Sequence, residues 1–225
     1  MRKEELEKKL DELIKQNIKK IELHSDDVKG YYELGVLLTD CKEFQLAEEL
    51  FIKALSRFKS VEECDLLFYG LGNVLYSANE YTNAMKYFRK IKGPKLLSES
   101  YLMIAQCFYA QEQYQQSLGF ALTVSEKMQQ NTSSKLLIAK NFIALGDFKN
   151  AKKYLDEFLV LDDKDFDAWF QRGVVALVLD ENEDNVYFGK AKQIDKNKFF
   201  KMKERLIEIQ EALIIQAKKK GGSKK

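Results

Sequence analysis

A chain of 225 residues with 45% hydrophobic and 32% charged residues has the composition of a folded protein with a sizeable core, not of a disordered one. Its single proline argues against loop-rich and all-β architectures and favours long uninterrupted helices. The net charge of +2 comes from 37 basic residues, mostly lysine, interspersed with 35 acidic ones, so the concentrated basic face that phosphate binding needs is missing and nucleic acid is not an expected partner.

The chain opens Met1-Arg2-Lys3-Glu4-Glu5, which is charged and leads into no apolar run of the secretory kind. No stretch of about 18 uncharged apolar residues occurs after it, so no membrane span is expected and the reading is a soluble, cytoplasmic protein. Residues 3–22 place Leu6, Leu10, Leu13, Ile14, Ile18 and Ile21 on one stripe flanked by Glu and Lys. That is an amphipathic helix, and its simplest role is to cap, within residues 1–27, the apolar face of the helices next in the chain. Glu4–Lys8 and Glu5–Lys9 suit a second role, a short coiled coil in a weak homodimer, although the stripe runs under three heptads. The stretch Leu23–Asp27, with the lone histidine His24, reads as a helix-capping linker.

From residue 28 the sequence repeats. Leu34-Gly35 is echoed by Leu71-Gly72, Ile104-Ala105, Ile138-Ala139 and Gly173, at steps of 37, 33, 34 and 34. Ala47, Ala84, Ser117 and Ala151 keep the same steps, as do Phe44, Tyr81, Tyr114 and Phe148. Each first segment, such as Tyr31-x-x-Leu34-Gly35-x-x-Leu38, sets its apolar residues at intervals of three and four, hence on one helical face. A Gly or Ala mid-helix is expected to admit a neighbouring helix closely, against the usual cost of about 1 kcal/mol for helical glycine. Each second segment, such as Phe44-x-x-Ala47-x-x-x-Phe51-x-x-Ala54, makes another such face, and short polar turns like Asp40-Cys41-Lys42, Ala78-Asn79-Glu80 and Gly146-Asp147 separate the two. The units fall at 28–61, 65–97, 98–131, 132–165 and 166–197. In the last, Trp169, Gly173, Phe188 and Ala191 fit, but the turn Asp180–Asp184 is one residue short and lacks its aromatic and alanine. Gly93-Pro94 interrupts the chain near the second boundary.

After the repeats, Phe199, Phe200, Met202, Leu206, Ile209, Leu213 and Ile214 mark a C-terminal capping helix over 198–217. Residues 218–225, with five lysines, read as a disordered solubilising tail.

The residues offer no catalytic constellation. Cys41, Cys64 and Cys107 are widely spaced, and with one histidine they assemble no metal cluster, so no cofactor is expected. There is no phosphate-binding glycine loop and no Gly-x-Ser-x-Gly elbow, and the acidic residues lie in mixed-charge runs. The chain reads as a non-enzyme.

These columns resemble the tetratricopeptide repeat (TPR), with a large aromatic, Leu and Gly in the first helix and Ala, Phe and Ala in the second. The likeness is closest over 28–61 and partial over 166–197. It implies an all-α, right-handed α-α superhelix of about five helix-turn-helix repeats between N- and C-terminal capping helices, acting as a protein-interaction scaffold. In such proteins the first helix of each pair lines a concave groove that receives peptides or helices. Carried over by position, the groove is lined by Tyr32, Tyr69, Leu102, Leu136 and Phe170, next by Val36, Asn73, Gln106, Lys140 and Val174, and then by Thr39, Tyr76, Tyr109, Ile143 and Leu177. Tyr32, Tyr69, Asn73, Tyr76, Gln106, Tyr109 and Lys140 are the expected partner-binding residues: amides to hold a ligand backbone, and exposed tyrosines to supply contact area. The competing reading is that several of the groove residues pack within the superhelix and the groove holds only water. The clamp that some relatives use for an acidic C-terminus is not matched, since Tyr32, Val36, Leu102 and Gln106 stand where its polar and basic residues would be and only Asn73 fits. Two other roles stay open: a structural subunit assembling through its terminal helices, and a sensor of a small signalling peptide.

Overall fold

The computed structural model describes residues 2–179 and 186–207, with side chains from residue 12 onward. Every regular element among them is an α-helix. They fall into two compact units, Met1–Gln129 and Gln130–Lys225.

The first unit holds α1 (Arg2–Leu23), α2 (Val28–Asp40), α3 (Phe44–Arg57), α4 (Val61–Ser77), α5 (Tyr81–Phe88), α6 (Pro94–Ala110) and α7 (Tyr114–Lys127). Consecutive helices pack on one another, and the first helices of successive pairs, α2 with α4 and α4 with α6, also touch. Leu34, Leu38, Phe51, Leu67, Leu71, Phe88 and Ile104 lie in one continuous core. Ile14 and Ile21 of α1 pack against it, while Leu13 and Ile18 stay exposed. Leu6 and Leu10 fall outside the described side chains.

The turn inside each pair is built the same way four times. Lys42, Asn79, Glu112 and Gly146 all have positive φ, between 60° and 76°, and they recur at the steps of the sequence columns. The next amide reaches back to a carbonyl five residues earlier: Glu43 to Leu38 (2.9 Å), Glu80 to Leu75 (2.8 Å), Gln113 to Phe108 (2.9 Å) and Asp147 to Phe142 (2.8 Å). This left-handed stop satisfies carbonyls that the helix leaves without partners. Only one of the four positions carries glycine, the residue best suited to it.

Two first helices start ahead of the boundaries reckoned from the columns. Ser60 and Glu63 form a reciprocal capping box, so α4 begins at Val61, ahead of the unit reckoned from 65. Gly93-Pro94 opens α6 ahead of residue 98, with Pro94 in the first turn, where a missing amide costs nothing. The turn before it is held by Asp65 of α4. This buried carboxylate accepts hydrogen bonds from the Lys92 amide (3.1 Å) and the Gly93 amide (2.6 Å).

The second unit holds α8 (Thr132–Ala144), α9 (Phe148–Leu161), α10 (Phe166–Val178), α11 (Val186–Ile194) and a further helix over 196–207, here α12. Asn131, Asp147 and Asp165 cap α8, α9 and α10 with their side chains. Lys135, which stands in an otherwise aromatic column, is buried along its stem and ion-paired with Glu157 at 2.6 Å. Arg172 is fully buried. It pairs with Asp156 at 2.7 Å, donates to the Tyr187 hydroxyl at 2.9 Å and lies 4.0 Å from that ring's centroid. The expected capping helix over 198–217 is described to residue 207, and Phe199, Met202 and Leu206 pack its inner face onto Phe166, Phe170 and Phe188. The turn Asp180–Asp184, the apolar residues Ile209, Leu213 and Ile214, and the tail 218–225 lie outside the described residues.

Candidate functional site

In the first unit the floor of the site is set by one aromatic ring. Phe51 projects from α3 between α2 and α4, where its ring fills the space that a Cβ on Gly35 or on Gly70 would need. The bare backbone at these two positions lets α3 approach both first helices. Gly72 makes the same accommodation for Phe88 of α5, where an added Cβ would sit 2.5 Å from the ring. These are the close approaches that the Gly column implied. Gly70, outside that column, was not anticipated, although the paired Gly70-x-Gly72 is a visible cue.

Above the Phe51 ring, α2 and α4 flank a cleft of about 240 Å³ lined by Tyr32, Val36, Thr39, Phe51, Gly70 and Asn73, with Asp40 and Ser77 at the C-terminal ends of the two helices. Thr39, in the lining, donates its hydroxyl back to the Gly35 carbonyl at 2.7 Å. Asn73 Oδ1 is buried and has no hydrogen-bond partner among the described residues. Leaving such an acceptor without a donor costs about 1–3 kcal/mol.

Of the two readings of the tyrosines, groove surface and packing within the superhelix, the structure shows some of each. Tyr32, Tyr69, Tyr76 and Tyr109 are half-buried. Each leans on a ring of the second helix in its own pair: Tyr32 on Phe51 at 6.3 Å, Tyr69 on Phe88 at 5.8 Å, Tyr76 on Tyr81 at 5.4 Å and Tyr109 on Tyr114 at 5.4 Å. They therefore stabilise the pairs as well as offering a surface; the Tyr69, Tyr76 and Tyr109 contacts are edge-to-face, a geometry that contributes about 0.5–1.5 kcal/mol beyond buried area, and the Tyr32 contact is tilted. Burial pushes all four hydroxyls above the usual tyrosine range. For Tyr69 the neighbouring Tyr32 adds to the rise and the Asn73 amide opposes it. The hydroxyls stay protonated and able to donate.

Of the seven residues singled out in the sequence, the cleft unites Tyr32 and Asn73, with Tyr69 beside them. Tyr76, Gln106 and Tyr109 lie further along α4 and α6, outside its lining. Lys140 belongs to α8 of the second unit. One groove position is corrected outright: Phe170 is 4% exposed and packs on Phe166, Phe188 and Phe199. Val174 and Leu177 flank the same cluster. The inner face of α12 covers what the positional count had left open.

The described residues contain no group of three or more His, Cys, Asp and Glu side chains placed to hold a metal ion. No described helix is long and apolar enough to cross a membrane.

No curated protein sequence matches the chain significantly. Solved structures sharing the fold include YrrB, described as a TPR protein with an unusual peptide-binding site (TM-score 0.61, 20% identity, covering 84% of this chain and 97% of that one). MamA (TM-score 0.61, 14% identity, 73% and 96%) and PilF of Pseudomonas aeruginosa (TM-score 0.69, 14% identity, 89% and 91%) share it too. At these identities the likeness establishes the fold alone. The tetratricopeptide repeat model matches residues 32–95 and 136–195, more than half of the sequence, and the chain belongs to the tetratricopeptide repeat family.

Proposed function

We propose that the protein is a non-catalytic scaffold that holds a peptide segment of a protein partner in the α2–α4 cleft. The observation that carries this reading is the buried Asn73 Oδ1, without a hydrogen-bond partner among the described residues, in the wall of a mixed polar and apolar cleft floored by Phe51. A peptide supplies both things the cleft lacks, a backbone N–H for the amide oxygen and an apolar side chain for the space above the ring. Tyr69, and beyond it Tyr76, Gln106 and Tyr109, extend the contact surface along α4 and α6. YrrB, which shares the fold, has a peptide-binding site of its own, in keeping with this use of the scaffold.

The test is selection of peptides on the full chain, followed by titration of the best binder into wild type and Asn73→Ala. Loss of the hydrogen bond predicts about tenfold weaker binding at unchanged helicity. Equal affinity for both proteins would remove Asn73, and with it the cleft, from the reading.

A further inference from the structure

Helix α12 carries two apolar strips, and the repeats use only one. Its N-terminus is fixed by Asp195, which accepts from the Lys198 amide at 2.8 Å. The inner strip of Phe199, Met202 and Leu206 packs onto the phenylalanine cluster of α10 and α11. One residue further round, Phe200 and Ile207 are 49% and 46% exposed, with the exposed Lys203 and Glu204 between them. These four residues line one open surface depression. The Lys192 ammonium lies 5.1 Å from the Phe200 ring centroid, covering one side of that ring.

The order of the four residues is self-complementary. Two antiparallel copies of a helix, related by a two-fold axis through the 203–204 peptide bond, set residues at equal distances from that bond opposite each other. Phe200 then meets Ile207 of the other copy, and Lys203 meets Glu204, in both directions at once. A two-fold interface requires a patch that complements itself. Apolar pairs at the ends give attraction, and the central charges fix register and orientation. A parallel pairing would oppose like charges.

We propose that the outer face of α12 docks the same face of a second copy, forming an antiparallel two-fold dimer that uses none of the residues of the α2–α4 cleft.

Light scattering and sedimentation of the full chain over a wide concentration range test this, with zero-length carbodiimide coupling of a mixture of ¹⁴N- and ¹⁵N-labelled protein. The expected result is a concentration-dependent dimer and a mixed-isotope Lys203–Glu204 cross-link. Lys203→Glu should abolish both the dimer and the cross-link, because it sets like charges opposite each other twice. Adding Glu204→Lys should restore the dimer. A monomer at every concentration, association that survives Lys203→Glu, or failure of the double exchange to restore it would each overturn the proposal.

Discussion

The Phe51 ring occupies the space that a Cβ on Gly35 would fill, and this one relationship couples the two helices of the first repeat and shapes the cleft beside it. Gly72 with Phe88 and Gly173 with Phe188 repeat the pairing. In the two repeats where the column carries alanine, the residue sixteen positions on is smaller, Ala121 after Ala105 and Leu155 after Ala139. The small residue on one helix and the ring on the other are matched in size.

Gly35→Ala should therefore destabilise the protein by about 1–3 kcal/mol despite alanine's better helix propensity, because the ring must leave its position in a packed core. Adding Phe51→Leu should recover part of the loss. Urea denaturation of the two variants checks this; an additive double mutant would contradict the size match.

The left-handed turns predict effects of opposite sign. Glu112→Gly should stabilise the protein by about 1 kcal/mol by relieving a side chain held at φ 60°. Gly146→Ala, at φ 76°, should destabilise it by a similar amount. Thermal denaturation at matched pH measures both.

Asp65→Ala removes a buried acceptor from the Lys92 and Gly93 amides. A loss of about 1–3 kcal/mol is expected, together with faster hydrogen exchange at those two amides. Exchange unchanged from wild type would mean that the carboxylate does not hold the turn.

Burial raises the Cys107 thiol to about 12 from an ordinary value of 9.0. The raised value favours the neutral thiol in the folded state, so its contribution to stability is present below pH 9 and is lost as pH rises towards 12. At neutral pH, Cys107 in a variant lacking the other two cysteines should resist maleimide until the chain unfolds. Rapid labelling of the folded protein would contradict its burial.

The helix pairs were legible in the sequence because intervals of three and four, with a small residue at each crossing, leave a mark at every repeat. Asp65 was not, since in the sequence it is one more acidic residue and its partners lie 27 and 28 positions later. Phe170 was misread because its exposure depends on α12, an element outside the repeat and its positional rules. How far the tyrosine row packs was left open by the sequence because its ring partners sit on the second helix of each pair, which a count along the first helices does not see. Asn73 and Tyr32 were both named from the sequence, but the cleft that joins them rests on Gly70 and Phe51, whose closeness only the packed helices reveal.

The most direct test of the cleft is photo-crosslinking of a bound peptide from two exposed sites of the first unit, Val36 on α2 and Ile52 on α3. With a photoreactive residue at either position in the full chain, the peptide should be captured from position 36, in the lining of the cleft, and not from position 52. Capture from position 52 with none from position 36 would contradict the account.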